Sequence, residues 1–377
     1  MTRNAPSRSE APGRHRIEAT GVGVHGVGGR VRKPPFPTSL LIDLPNWLGD
    51  LVMSFPATSR LVRANRRGRT VLHVRPSARR LVEHVFPDAD VVASPHKQAP
   101  LRTIWTGFRA RFDHAVTLRN ATRAKVLIRL LSRWSAGTCT QGGRVLLSWC
   151  ARVDRHRHQV HDADSMLERL GLAGCDPLWK VALPGELVEQ GAAALDASGA
   201  DLSGVLVGLA PGVAMGGAAK QWSPEHFGRL ADLACNAGMT PVVVVGPGEE
   251  RLAESVVGSS GRRLPVVGTR LDAAGLAGVL AHLAAVVGND SGPAHLAAVL
   301  EVPGLVLFGP TDQLRTAPLF SELEVVSRRL ECAPCGELVC PHGHQACLRD
   351  IAPEAIARRL TRIAARRRHE RTLAIAK

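Results

Sequence analysis

Four stretches of this 377-residue chain place chemistry-bearing side chains at usable spacings. The first is Asn46-Trp-Leu-Gly49-Asp50, a glycine and a carboxylate in a turn between a strand-like and a helix-like segment. A carboxylate near a helix N-terminus is electrostatically favoured and stays ionised, so it can take a proton from an incoming hydroxyl; its plainer use is as a helix cap. The second is Ala210-Pro211-Gly212 followed by Lys220-Gln-Trp222. A lysine in such a loop neutralises a phosphate, or is simply a solvated lysine before a helix capped by Ser223. The third is Gly288-Asn-Asp290-Ser291-Gly292-Pro-Ala-His295, a small-residue turn entering a helix. The first amides of that helix form an anion site, with Gly292 allowing close approach and His295 on the first turn. Asp290 suits sugar or ribose hydroxyls better than phosphate, and His295 taken alone is equally a packed histidine. The fourth is Cys332-Ala-Pro-Cys335 through Cys340-Pro-His342-Gly-His344-Gln-Ala-Cys347. These thiols and imidazoles can satisfy a tetrahedral metal, remain reduced and buried, or include a redox-labile pair.

Other matches fail on context. Gly21-Val-Gly23-Val-His-Gly26 spells a dinucleotide fingerprint, but no strand precedes it, and Gly28, Gly29, Pro34 and Pro35 forbid the helix that must follow. The doublets Asp88/Asp90 and Asp162/Asp164 read as surface acids.

The elements around these residues alternate. Ser39 to Leu44 is a short apolar strand, with a helix expected from Leu51 to Asn65. Strands at 71–74, 91–92 and 115–118 alternate with helices at 78–85 and 121–131, and a helix is expected over 162–172. Linker character around 175–184 places a domain boundary near residue 178. The alternation then restarts, with strands at 205–210, 241–245, 264–267, 285–287 and 304–308, and helices at 224–238, 249–257, 272–283 and 292–300. Two successive arrays of this kind imply an α/β protein of two doubly wound domains facing across a cleft, with ligands at the carboxyl ends of the strands.

Composition fits that picture: 45% hydrophobic and 21% charged residues are those of a globular protein, and no uncharged apolar run approaches the length of a membrane span. No apolar stretch of secretory type follows the N-terminal arginines, so a cytoplasmic location with reduced thiols is expected. The net charge of +15 lies mostly at the ends. Residues 1–38 carry seven Arg/Lys against Glu10 and Glu18, and residues 358–377 carry eight against Glu370, leaving the body at +3. Such tails suit an anionic membrane surface or a phosphorylated substrate as readily as nucleic acid, or stay solvated without a partner.

In order, the motifs resemble the bacterial lipopolysaccharide heptosyltransferases of glycosyltransferase family 9, over about residues 39 to 360. The resemblance rests on Leu44-Pro-Asn-Trp-Leu-Gly-Asp-Leu-Val-Met-Ser54, Ala210-Pro-Gly with Ala219-Lys-Gln-Trp, Gly288-Asn-Asp-Ser-Gly-Pro-Ala-His, and Leu307-Phe-Gly-Pro-Thr311. The cysteine cluster points to the type II enzymes. The resemblance implies a GT-B fold: a disordered basic extension (1–38), an acceptor-binding Rossmann-like domain (39–178), a nucleotide-sugar-binding Rossmann-like domain (179–357) and a basic C-terminal helix or tail (358–377), often with a last helix that crosses back. It implies inverting transfer of L-glycero-D-manno-heptose from an ADP donor to the heptosylated inner core of lipid A, with neither metal nor cofactor.

By this resemblance Asp50 matches the general base and Lys220 the lysine on the donor phosphates. Pro211, Gly212, Asp290, Ser291, Gly292, His295 and Gly309 fall in the donor-site motifs. An inverting displacement needs a base on the attacking hydroxyl and positive charge at the leaving diphosphate, for which Lys220, His295 and the helix amides are candidates. Arg119, Asn120 and Arg123, at a strand end of the first domain, are candidates for the acceptor's phosphates. Partners expected are the nucleotide sugar, the lipid A core and the inner face of the cytoplasmic membrane, with no nucleic acid. The stretch Val213-Ala-Met-Gly-Gly-Ala-Ala219 departs from the more polar approach usual in the family. Rival readings are another nucleotide sugar on the same fold, a zinc-stabilised nucleic-acid-binding protein, and, weakest, a nicotinamide-dependent dehydrogenase.

Overall fold

The computed structural model describes residues 38–94, 111–172, 179–213, 217–319 and 321–375. The expected extension up to residue 37, the glycine-rich match at 21–26, the boundary near 178 and part of the 213–219 stretch lie outside the described residues. The first half holds β1 (Ser39–Asp43), β2 (Arg69–Val74), β3 (Asp90–Ala93), β4 (Phe112–Thr117), β5 (Ser132–Thr138) and β6 (Trp149–Ala151). They form one parallel sheet in the order β3-β2-β1-β4-β5-β6. The second half holds β7 (Val205–Ala210), β8 (Met239–Val244), β9 (Val266–Val267), β10 (Ala285–Asn289), β11 (Gly304–Phe308) and β12 (Leu323–Ser327). These form a second parallel sheet, β12-β11-β10-β7-β8-β9.

Consecutive residues such as Leu41 and Ile42, or Val242 and Val243, are fully buried, because helices cover both faces of each sheet. Strand order reverses between β1 and β4 in one sheet and between β7 and β10 in the other. At such a switch point the loops diverge to opposite faces and leave a crevice beyond the strand ends. Asp50 follows β1, Arg119 and Asn120 follow β4, Pro211 to Lys220 follow β7, and Asp290 to His295 follow β10. The two doubly wound halves expected from the sequence are therefore present, with the candidate residues at their crevices.

Several elements differ from expectation. The single helix expected over 51–65 is two, Leu48–Met53 and Phe55–Ala64, joined at Ser54. Pro56 has no N–H to continue the first helix, and it sits in the opening turn of the second, where that N–H is not needed. The expected helix at 162–172 runs only from Asp164 to Arg169. Asp88 and Asp90 are exposed as expected, but Asp162 and Asp164 are not surface acids. Asp164 is buried and accepts from Arg157 and His161, while Asp162 pairs with Arg315.

Cys139, just after β5, is disulfide-bonded to Cys150 in the neighbouring β6, against the expectation of reduced thiols throughout. In the last helix, Pro353–Ile375, the side chains of Ile356, Ala357, Leu360 and Ala364 pack with Trp222, Phe227 and Leu305 of the second half. Among the described residues no helix is long and apolar enough to cross a membrane.

At the carboxyl end of β1, Asp43 is fully buried. Its Oδ1 meets His73 Nδ1 at 2.8 Å and Arg119 Nη1 at 3.4 Å, and its Oδ2 accepts from Thr117 Oγ1 at 2.8 Å. His73 Nε2 in turn lies 2.6 Å from Ser94 Oγ, so β1, β2 and β4 are tied together where the crevice opens. Removing the shared acceptor strands buried polar groups, and Asp43→Ala is expected to cost about 3–5 kcal/mol. A urea midpoint equal to that of the wild type would rule this out.

Candidate active site

The two crevices meet at a pair of glycines. A Cβ on Gly49 would stand 2.9 Å from His295 Cδ2, and one on Gly292 would stand 2.7 Å from Leu48 Cβ. Only bare Cα atoms let the turn after β1 and the turn after β10 approach this closely. The contact places Asp50, from the first half, where it feels the charges of Lys220 and Asp290 from the second.

Asp50 lies inside the opening turn of helix Leu48–Met53, whose N-cap, Trp47, makes no side-chain cap bond. Asp50 is thus not the capping residue. Its Oδ1 accepts from Gln159 Nε2 at 2.8 Å, and Asp50 lines an open cavity of about 50 Å³. Burial raises its pKa above the ordinary aspartate value; the Gln159 hydrogen bond and the Lys220 charge oppose the rise, and Asp290 and Asp162 add to it. A carboxylate shifted toward neutrality and aimed at a cavity has the character of a general base.

Opposite it, Lys220 ends the tight turn Ala218–Lys220, and its Nζ is 3.3 Å from Asp290 Oδ2. Lys220 is therefore an ion-paired side chain at the crevice rather than a solvated lysine. The same Oδ2 accepts from Thr311 Oγ1 at 2.8 Å, which fixes the carboxylate. Ser291, at the N-cap of helix Gly292–Val299, has a buried hydroxyl with no hydrogen-bond partner among the described residues. An unpaired buried hydroxyl beside the Gly292 amide at a helix N-terminus is suited to an anion.

His295 does not supply the positive charge expected of it. Its ring is 5% exposed, and burial takes its pKa down to about 4, with Asp290 opposing and His158 and Lys220 adding to the fall. At neutral pH the imidazole is uncharged and acts through hydrogen bonding and shape. The cationic side chain beside Asp290 at this crevice is Lys220.

Several supporting residues were not among those singled out from the sequence. Fully buried Asn289 donates to Pro211 O at 2.8 Å and accepts from Trp222 N at 3.0 Å, fastening both arms of the Pro211 to Trp222 loop to β10. Gln345, with a left-handed backbone at φ 45°, places Nε2 within 2.9–3.1 Å of the carbonyls of Ala218, Ala219 and Gln221. It braces the turn that carries Lys220. Glu249 presents its carboxylate to Gly212, where a Cβ would stand 2.3 Å from Oε2, and that oxygen accepts from Gly246 N at 2.7 Å. Gly309 serves packing: a Cβ there would meet Leu348 at 2.7 Å.

The cavity is lined by Asn120 but not by Arg119 or Arg123. Asn120 Oδ1 accepts from Thr138 and Thr140 hydroxyls at 2.6 and 3.0 Å. The side chain of Arg119, 12% exposed, turns to Asp43, while Arg123 is exposed at the start of helix Thr122–Leu131. Of the three acceptor candidates, Asn120 alone faces this space directly. In the cysteine cluster, burial and the nearby thiols of Cys335, Cys340 and Cys332 raise the Cys347 pKa, and all four are unpaired. No group of three or more His, Cys, Asp or Glu among the described residues is placed to hold a metal ion.

The model for glycosyltransferase family 9 (heptosyltransferase) matches residues 101–346. The chain is 25% identical to a lipooligosaccharide heptosyltransferase 2 of Campylobacter jejuni, across 84% of this chain and 95% of the relative. Its fold is similar to that of a family 9 glycosyl transferase from Veillonella parvula, with a TM-score of 0.74 and 20% identity over 87% and 97% of the two chains. It is also similar to E. coli ADP-heptose lps heptosyltransferase II, with a TM-score of 0.71 and 19% identity over 87% and 99%.

Proposed function

This chain belongs to glycosyltransferase family 9, the heptosyltransferase family, and on that premise we propose that it transfers heptose from ADP-heptose to the heptosylated inner core of lipid A with inversion. The observation that carries the reading is the meeting of a base from one half with a cation and an anion-binding helix start from the other.

Asp50 takes the proton from an acceptor hydroxyl lodged in the cavity between the loops after β1 and β4. The hydroxyl oxygen forms its bond to the anomeric carbon as the bond to the diphosphate breaks on the opposite face, and one displacement inverts the centre. Lys220, the Gly292 amide opening helix Gly292–Val299 and the Ser291 hydroxyl meet the negative charge that appears on the leaving diphosphate. Uncharged His295 donates a hydrogen bond there, and Asp290 and Glu249 suit sugar hydroxyls. Charge neutralisation thus falls to Lys220 and the helix amides, without a metal ion. The resemblance of the cysteine-bearing motif to type II enzymes supports the already heptosylated acceptor. Arg358 and Arg362, exposed on the C-terminal helix, support a place at the anionic inner face of the cytoplasmic membrane.

The test is transfer from ADP-heptose to heptosylated Kdo-lipid A in the presence of EDTA, with ADP, UDP and GDP as competitors. Full activity in chelator, competition by ADP alone and an inverted anomeric centre in the product are expected. Competition by UDP or GDP instead would reassign the sugar donor, and loss of activity in EDTA would overturn the metal-free step.

A further inference from the structure

Between β6 and helix Asp164–Arg169, residues 157–162 of the first half lie against Arg315–Ala317 of the second. Arg315, in the short helix Gln313–Thr316 after β11, donates from Nη1 to Arg157 O at 2.6 Å and pairs through Nη2 with Asp162 at 2.5 Å. His158 accepts from Val160 N at Nδ1, which leaves the proton on Nε2, and Nε2 donates to Ala317 O at 2.9 Å. Three bonds therefore fasten both ends of this six-residue segment to Arg315–Ala317. Val160, inside it, is buried and lines the cavity. Gln159, between the anchors, reaches back to Asp50 Oδ1 at 2.8 Å.

We propose that residues 157–162 are an interdomain strap in which Gln159 is the positioning residue for Asp50, and that Arg315 acts on Asp50 through it. The inference rests on Asp50 being the base of the proposed reaction. Its physical content is that a donor hydrogen bond to one carboxylate oxygen fixes the rotamer, and Asp50 Oδ2 has no partner among the described residues and remains for the acceptor hydroxyl. The bond to Oδ1 exists only while the strap lies against the second half, so the base is oriented when the two halves are latched. Among the described residues of the first half, no other side chain donates to Asp50 Oδ1.

The bond also favours the ionised carboxylate, against the burial that disfavours it. The other groups facing Asp50 are Asp162 on the strap, Lys220 on the turn after β7, Asp290 after β10, and the uncharged ring of His295 against Gly49. None of these is altered by a change at residue 159.

The experiment measures kcat and both KM values across pH for Gln159→Ala, Arg315→Ala, Arg315→Lys and the double alanine variant, with Asp50→Asn as reference. Gln159→Ala is expected to lower kcat about tenfold, the worth of one hydrogen bond to a charged group, and to move the acidic limb of the profile upward. The dissociation constant for ADP should stay within about twofold of wild type, since one hydrogen bond remote from the nucleotide is removed. Arg315→Ala should shift the limb in the same direction, Arg315→Lys should restore part of it, and the double variant should fall short of additivity. A limb unmoved in Gln159→Ala, or Arg315→Ala additive with it, overturns the strap. Transfer retained by Asp50→Asn overturns the reading of Asp50 as base instead, so the two failures are distinguishable. Arg315→Lys keeps the strap's cation, and its melting temperature shows whether the alanine variants act through folding.

Discussion

Asp50→Asn is expected to lower kcat by about 10³-fold while ADP binds as it does to wild type, because general-base assistance is lost and donor contacts are not. The asparagine keeps an acceptor for Gln159 Nε2 and the shape of the carboxylate, so the opening turn of helix Leu48–Met53 should be undisturbed. Stability provides an independent check. The raised pKa means that the folded chain holds the Asp50 proton more tightly than the unfolded chain does. Ionisation then counts against the fold as pH rises through that interval, and above it the penalty is complete. At neutral pH the asparagine variant should therefore melt no lower than wild type. Within wild type, activity should fall on acidification at a pH above the ordinary aspartate range. An inactive variant that also melts several degrees lower would point to a structural role for Asp50.

Lys220→Met should have the next largest effect, a loss of about 10²–10³ in kcat of the kind seen when one preorganised charge donor is removed from a leaving group. Unlike Asp50→Asn, it should also weaken ADP binding, since the same ammonium meets the diphosphate before and after the bond breaks. A second consequence follows from the charge map. Lys220 lowers the Asp50 pKa, so the acidic limb should move upward in Lys220→Met. Asp290 Oδ2 loses its cation in this variant but keeps the Thr311 hydroxyl. Lys220→Arg should recover ADP binding better than kcat, because a planar guanidinium does not reproduce the point charge at 3.3 Å. Calorimetric titration with ADP and a pH series of single-turnover rates separate these effects. Unchanged ADP binding in Lys220→Met would remove Lys220 from the phosphate site.

The parts of the fold legible in the sequence are those where one physical signal dominates. β7 and β11 are apolar runs buried on both faces, and their bounds as read from sequence coincide with the structure. β5, Ser-Arg-Trp-Ser-Ala-Gly-Thr, has neither an apolar run nor a clean alternation, although most of it is buried; the sheet supplies what the segment lacks. β12 is an edge strand with Glu324, Val325 and Ser327 exposed, so burial left little mark on its composition. Helix Gly185–Ala197 follows directly on a proline-bounded, linker-like stretch, and three of its residues are alanines in a row, which blurs the polar and apolar faces.

The same division runs through the site. Asp50, Lys220 and Asp290 were legible because strand-to-helix turns at a switch point are where chemistry collects, and their neighbours are glycine, proline and serine. Gln159, Arg315, Asn289 and Gln345 act across sequence separations of 67 to 158, through hydrogen bonds from residue types common on any surface. Asn289 and Gln345 lie inside motifs read from the sequence, but nothing in those motifs shows the distant partners. His295 lies at the crevice, and the burial that lowers its pKa to about 4 is a property of the assembled halves that leaves no mark on the local sequence.

The contact of Gly49 with His295 and of Gly292 with Leu48 sets a rule of inheritance for this architecture. A side chain gained at position 49 has no room while 295 is an imidazole, and one gained at 292 has none while 48 is a leucine. Each bare position lies in one half, and its obstructing side chain lies in the other. The four positions therefore form one unit of exchange: grafting the first half of one such enzyme onto the second half of another closes properly only when residues 48, 49, 292 and 295 come from compatible parents.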